Sequence, residues 1–456
     1  QKITTADWIE TCTLPQTRVA QILHSKARWK AGLMTEKQFL KVKGFAKEES
    51  YGFETKHFRS INSRSDAFKG MIAKYFKAIE KVFFARKEYI KKIPNYQRAQ
   101  YIMDNVHTTN ASYICTDYTS FESSFSKLVM ENCEEIVYKH ILGQHPKWNK
   151  FYDLWCHCKG RNTINYRSFN CKINATRMSG EMNTSLGNGI TNLLLFNWCC
   201  EIQNISCVGV VEGDDGLFSV SATPSLDPIR SIGFTIKPEY HSSIGDASFC
   251  GQIFDEESLQ VVRDPIKSMI KMGWSSSQYK FSNKSRLAEL QKARALSGLY
   301  ENPGNPILNV WNLMILERYR DVDITYYLTH AKLDEYERNR LLQAASATEN
   351  GNKWETIFQP ATHRTRLLVE RRWGLTVEYQ LYVENAIKSH IVGRFVLPSS
   401  DLVCHADYFK NWDNYVSRYG LRPLKVNGFN GKPVLAESLF SPLPVAPRAR
   451  HNWNVG

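Results

Sequence analysis

Cys207-Val-Gly-Val-Val-Glu-Gly-Asp-Asp-Gly-Leu-Phe-Ser-Val220 sets two apolar runs, Cys207 to Val211 and Leu217 to Val220, around the polar segment Glu212-Gly-Asp-Asp-Gly216. Apolar, turn, apolar over so few residues predicts a β-hairpin with Asp214 and Asp215 at its tip. Adjacent carboxylates repel, and their ionised forms need compensation. A divalent cation supplies it, because carboxylate oxygens are the hard ligands that Mg²⁺ prefers. Gly213 and Gly216 allow a tight turn. Alone, the same residues also suit an ordinary solvated Asp-Gly turn.

Working outward, Tyr113-Ile-Cys-Thr-Asp117 reads as a short strand ending in an acid. If it pairs beside the hairpin, three carboxylates reach one point. Such a set holds two cations about 3.5–4 Å apart and supports an in-line phosphoryl displacement. Standing alone, Asp117 is equally a helix N-terminal acid that favours the macrodipole. After it, Phe125, Leu128, Val129, Cys133, Ile136 and Val137 predict one apolar helix face. Between strand and hairpin, Ser179-Gly180 opens a polar loop. The loop leads into a helix pattern at Leu186, Ile190, Leu193 and Leu194, whose first turns present Ser, Thr and Asn. A plain helix cap accounts for one of those polar residues, not for all.

Taken together the three pieces resemble the palm of RNA-dependent RNA polymerases from positive-strand RNA viruses. Asp117-Tyr-Thr-Ser-Phe-Glu122 fits the family's pattern of an acid, four residues and a second acid. Ser179, Gly180, Thr184 and Asn188 fit Ser-Gly, three residues, Thr, three residues, Asn. Gly213-Asp214-Asp215 fits the hairpin motif, and order and spacing agree: 188 − 117 = 71 residues, then 214 − 188 = 26. The run Arg177-Met-Ser-Gly-Glu-Met-Asn-Thr-Ser-Leu-Gly-Asn188 is most similar to tombusvirus-like polymerases, with noda-like ones as the alternative.

The resemblance implies an α+β right hand. Its palm is an antiparallel, ferredoxin-like sheet formed by 113–140 and 177–260. The fingers take 1–112 and the insertion 141–176. A helical thumb spans 261–441, and a flexible tail covers 442–456. A template-guiding motif expected before residue 43 is missing, so the N-terminal fingers read as incomplete. Asp117, Asp214 and Asp215 would hold two Mg²⁺ or Mn²⁺ ions. Asn188 and Glu122, where Asp is usual, would sense the ribose 2′-hydroxyl, with Ser179, Gly180 and Thr184 placing ribose and template. Lys47 and Arg59, helped by Lys56, would grip the triphosphate, and Arg64 the RNA. Gly233-Phe-Thr-Ile-Lys237 resembles a fourth motif whose Lys237 donates a proton to departing pyrophosphate. Cys250 and Gly251, in Ser248-Phe-Cys-Gly251, resemble the turn that supports the primer strand. The implied partners are template and product RNA, NTPs and other replicase components. The implied location is the host cytoplasm, at membrane-associated replication complexes reached through another segment or partner.

Composition bounds the alternatives. The chain has 456 residues, 43% of them hydrophobic, which is ample for a core of two or three subdomains. A net charge of +14, from 59 Lys and Arg against 45 Asp and Glu, favours a polyanionic partner. Eleven Cys cannot all pair within the chain, and their spacing predicts a reducing compartment. Cys156-His157-Cys158, with Cys171, lacks structural-zinc spacing and is expected in the core. Gln1 in place of Met marks the start as that of a cleavage product, an excerpt or a trimmed chain. The longest apolar run, Ile190 to Cys200, is broken by Thr191, Asn192 and Asn197, so no membrane span is expected. A reverse transcriptase would share palm acids, but it usually has an aromatic residue where Glu212 stands. A non-catalytic basic RNA-binding protein explains the charge but not three motifs in register.

Overall fold

The computed structural model describes residues 3–12, 14–47, 59–271, 279, 282–331, 333 and 335–389, with the short strands Phe395–Leu397, Leu424–Asn427 and Pro433–Glu437. The architecture is α+β. The described chain forms two compact units, one up to Leu259 and one from Gln260 onward.

Eight of the first unit's described strands follow the chain as β1 (Val42–Ala46), β2 (Ser60–Arg64), β3 (Ser112–Tyr118), β4 (Arg161–Asn165), β5 (Asn170–Asn174), β6 (Cys207–Glu212), β7 (Asp215–Val220) and β8 (Ile236–His241). They build two sheets, ordered β2-β1-β4-β5 and β6-β7-β3-β8. The second sheet is antiparallel throughout. Its β6 edge is covered by the segment around Tyr89, where the Val211 amide donates to the Glu88 carbonyl at 2.8 Å.

Helices pack with the second sheet into the main core, while Val42 and Ile164 of the first sheet meet Met178 in a smaller cluster. Asp66–Phe83 begins where the Ser65 side chain accepts from the Phe68 amide, satisfying an otherwise orphaned donor. Phe68, Ile72, Phe76 and Ile79 recur at helical spacing and are buried. Phe76 meets Tyr138, Phe151 and Trp155 edge-on, at 5.8, 5.6 and 6.5 Å between centroids. Truncating Phe76 to Ala would cost about 3–5 kcal/mol. The helix Thr184–Glu201 is apolar nearly all round, as suits an element buried within the unit. Phe196 stacks on Phe218 of β7 at 4.0 Å and fixes the helix against the hairpin.

The helix face expected after Asp117 is corrected. A π turn at Glu131–Glu135 interrupts the helical run between Lys127–Met130 and Ile136–Leu142. The wider turn changes the phase. Leu128 and Ile136, expected inside, are 68% and 57% exposed. Val129, Cys133 and Tyr138 point into the core instead, and Glu134 is carried in with them.

The second unit is mainly helical. Leu296, Leu299, Tyr327 and Trp354 lie in its core, and Arg366 forks onto Glu384 at 2.8 and 2.9 Å. The expectation of a helical thumb over 261–441 is corrected toward its end. Phe395–Leu397 and Leu424–Asn427 both pair antiparallel with Pro433–Glu437. These segments carry Phe, Val and Leu in short runs, which favour strands. Among the described residues all cysteines are free thiols. No described helix is long and apolar enough to cross a membrane.

Candidate active site

The expected hairpin is β6–β7, closed at its last pair, Glu212 with Asp215. That leaves Gly213 and Asp214 as a two-residue turn, and Gly213 takes φ +66°, a left-handed value that costs glycine little. β3 lies between β7 and β8. Its Thr116 pairs with Gly216, so Asp117 and Asp215 are the next opposed positions and face the same side. Cβ atoms so placed are about 4.5–5.5 Å apart. On the other flank Asp117 pairs with Lys237. The strand-end acid, the hairpin tip and the fourth-motif lysine therefore share one corner of the sheet.

The corner is electrostatically unbalanced. Burial raises the Asp214 carboxyl above its ordinary value, and the nearby charges of Glu122 and Asp117 push the same way, while Arg59 opposes them. Burial and then Asp214 push Asp215 up to about 7. Among the described residues no three Asp, Glu, His or Cys side chains close into a ready-made cage. Carboxylates with nothing between them repel, so an open arrangement is the expected one. The donor set suits a hard divalent cation: partly buried, oxygen-only and short of positive charge.

After Asp117 the chain turns through Ser120 at φ +54° and returns Glu122 toward the helix Thr184–Glu201. There Asn188 Nδ2 donates to Glu122 Oε1 at 3.2 Å. The two residues expected to sense a ribose are thus joined. Lys47 and Arg59 also meet, as the step beyond Ala46 and Ser60 in the β1–β2 ladder, where the Lys47 amide donates to the Arg59 carbonyl at 2.7 Å. Lys56 lies outside the described residues.

The family model for viral RNA dependent RNA polymerase matches residues 17–391. The chain belongs to this family. The RNA-directed RNA polymerase of Panicum mosaic virus is 25% identical over 306 residues, covering 60% of this chain and 30% of that protein. The RNA-directed RNA polymerase 2a of cowpea chlorotic mottle virus is 24% identical over 127 residues, 27% of this chain and 15% of that protein. The chain spans under a third of the length of either relative.

Within this family member several motif residues do something other than expected. Arg64, expected on RNA, is buried. Its guanidinium pairs with Glu181 at 2.6 Å, with both side chains 3% exposed, and covers the Phe68 ring at 4.9 Å. An internal carboxylate draws the cation inward and holds it there. Ser179 Oγ accepts from the Asn62 amide at 3.1 Å and donates to the Ser60 carbonyl at 3.0 Å. Gly180 donates from its own amide to the Asn62 carbonyl at 3.0 Å. Ser179-Gly180 therefore clamps the helix-bearing loop to β2. Thr184 Oγ1 lies 3.1–3.4 Å from the Met178, Ser179 and Glu181 carbonyls, and its one proton ties the loop down at the helix start. Cys250 and Gly251 form the expected turn, at φ +52° and +71° between the mutually bonded Phe249 and Gln252. The Cys250 thiol faces inward, 3.6 Å from Glu212 Oε2 and hydrogen-bonded to Asp215. Glu212 in turn pairs with Arg98 at 2.6 Å.

Two features escaped the sequence. Arg177 and Glu134, both fully buried, form an ion pair beneath the helix start. Tyr138 Oη and Asn183 Nδ2 donate to Glu134 Oε2 at 2.8 and 3.2 Å, and Arg177 reaches Glu181 at 3.5 Å. The second is Asn192, whose signal was its place one helical turn beyond Asn188.

Proposed function

We propose that this chain is the catalytic core of an enzyme that copies RNA into RNA by template-directed nucleotidyl transfer from NTPs. The observation that carries the reading is the opposition of Asp117 and Asp215 across β3 and β7, beside the Asp214 turn and the Asn188–Glu122 pair. In this reading 113–140 and 177–260 are the palm, 1–112 and 141–176 the fingers, 261–441 the thumb and 442–456 a tail.

Asp117, Asp214 and Asp215 would hold Mg²⁺ or Mn²⁺, whose chemistry is to activate a 3′-hydroxyl and to stabilise departing pyrophosphate. Lys47 and Arg59, exposed at the end of β1–β2, hold the triphosphate, and Arg59 already tempers the charge on Asp214. Lys237, beside Asp117, donates a proton to the leaving group. The bonded Asn188 and Glu122 present one polar edge to the ribose, and a 2′-hydroxyl completes its hydrogen bonds. Base pairing with the template selects the nucleotide. Template and product RNA are held by phosphate contacts, so binding weakens with salt. Other replicase components and a membrane-associated site in the host cytoplasm belong to the same proposal.

The test is primer extension by the purified chain on an RNA template, with each NTP and with Mg²⁺ or Mn²⁺. Metal-dependent, template-matched incorporation of NTPs is expected. RNA binding without incorporation under either metal overturns the assignment.

A further inference from the structure

We propose that Asn192 is a positioning residue, which holds the Gly213-Asp214 turn at fixed height over β3 so that Asp214 and Asp117 keep their spacing. The inference rests on the polymerase reading of the site and adds a residue that the motifs do not mark. Asn192 is fully buried, so its amide must find partners inside the protein. Nδ2 donates to the Asp214 carbonyl at 2.9 Å, with the Gly213 carbonyl further off at 3.5 Å. Oδ1 lies 3.5 Å from Thr116 Oγ1, which also reaches the Gly216 carbonyl at 3.5 Å. One side chain therefore joins the hairpin turn to the residue directly before Asp117.

The backbone geometry allows this because the helix comes very close to the turn. A Cβ added at Gly189 would stand 3.6 Å from the Gly213 nitrogen and 3.2 Å from the Tyr89 ring. Asn188 and Asn192 are four residues apart, one turn of one helix face. Asn188 reaches Glu122, and Asn192 reaches the turn. The helix thus sets the sugar-facing pair and the acid-bearing turn from one rigid element. Loss of the 2.9 Å bond frees the turn without touching the carboxylates themselves.

The experiment uses the whole chain and titrates Mn²⁺ alone by calorimetry, alongside NTP incorporation and thermal melting. Asn192→Ala is expected to weaken Mn²⁺ binding and kcat each about tenfold, the scale for residues that orient ligating groups, while KM for NTP stays within about threefold. Thr116→Val keeps the side-chain shape, removes only the hydroxyl, and is expected to shift Mn²⁺ affinity the same way by less. Leu193→Ala, next along the helix and buried, costs packing but should leave Mn²⁺ affinity unchanged. Unaltered Mn²⁺ binding by folded Asn192→Ala overturns the proposal, as does equal weakening by Leu193→Ala. If Asn192→Ala does not fold, an unshifted Thr116→Val overturns it. An unsubstituted chain that binds Mn²⁺ but makes no RNA sinks the polymerase reading while the binding comparison still judges Asn192. A chain that binds no Mn²⁺ sinks both.

Discussion

Arg64, Glu181, Arg177 and Glu134 form a buried charged cluster, and Asp117, Asp214 and Asp215, with Glu122, form a second, more open one within the same unit. The first is balanced, with two cations and two carboxylates in contact and side chains at most 3% exposed. Each partner's charge offsets the other's loss of water. The second cluster sets acids together with Arg59 as the cation that tempers Asp214, and burial raises both Asp214 and Asp215. Both clusters touch the helix Thr184–Glu201, the first near Asn183 and the second at Asn188 and Asn192. The contrast separates scaffolding from chemistry. A self-neutralised cluster fixes the helix, and an unneutralised one calls for a ligand that brings positive charge.

The sharpest way to break the contrast is to remove one charge from each. Asp214→Ala should reduce incorporation on the order of a thousandfold, the scale for losing charge stabilisation in phosphoryl transfer. Its melting temperature should hold or rise, since a repulsive group has gone; full activity with either metal removes Asp214 from the site. Arg177→Met should do the reverse, costing about 3–5 kcal/mol of stability because Glu134 is left buried and unpaired. Denaturant unfolding reads this, and adding Glu134→Leu should restore much of the loss. A lone Arg177→Met as stable as the parent would mean that the balanced cluster bears no weight.

Smaller effects sharpen the picture. Asn188→Ala should lower the preference for NTP over dNTP about tenfold, the worth of one hydrogen bond near 1.4 kcal/mol. Competing incorporation on one template measures it. The smallest effect is in melting temperature against pH. Asp215 rises from 3.8 to about 7 in the folded chain, so the metal-free fold keeps protons that the unfolded chain has released. Its stability therefore falls as pH rises from about 4 to 7. Mg²⁺ should raise the melting temperature more at pH 7.5 than at pH 5.5, and an equal rise at both would detach the cation from these acids.

The hairpin and the strand beside it were legible in the sequence because apolar runs flank a Gly-Asp-Asp-Gly turn and a short apolar segment ends in Asp117. Asp117, Asp214, Glu122 and Asn188 fall where their spacing implied. The balanced cluster was not legible. Arg177 and Glu134 are 43 residues apart and obey no local period. Arg64, the last residue of β2, was expected on RNA, whereas its partner Glu181 holds it inside. Ile136 was misplaced because a regular helix was assumed where one turn is wider, and Leu128 because Phe125 stands before the helix start rather than on its face. Ser179 and Thr184 were found, but their hydroxyls serve neighbouring carbonyls, which only the folded loop reveals. The short strands Phe395–Leu397, Leu424–Asn427 and Pro433–Glu437 were missed within a stretch read as a helical thumb.

The wide turn at Glu131–Glu135 also makes chain length there a matter of rotation. Each residue of an α-helix advances about 100° around its axis. Because the turn already holds one residue more than an α-helical turn, Tyr138 keeps the core face five positions after Cys133, and a further residue inserted between them would swing Tyr138 and Leu142 out of the aromatic core. The segment therefore tolerates exchanged letters far better than an added one.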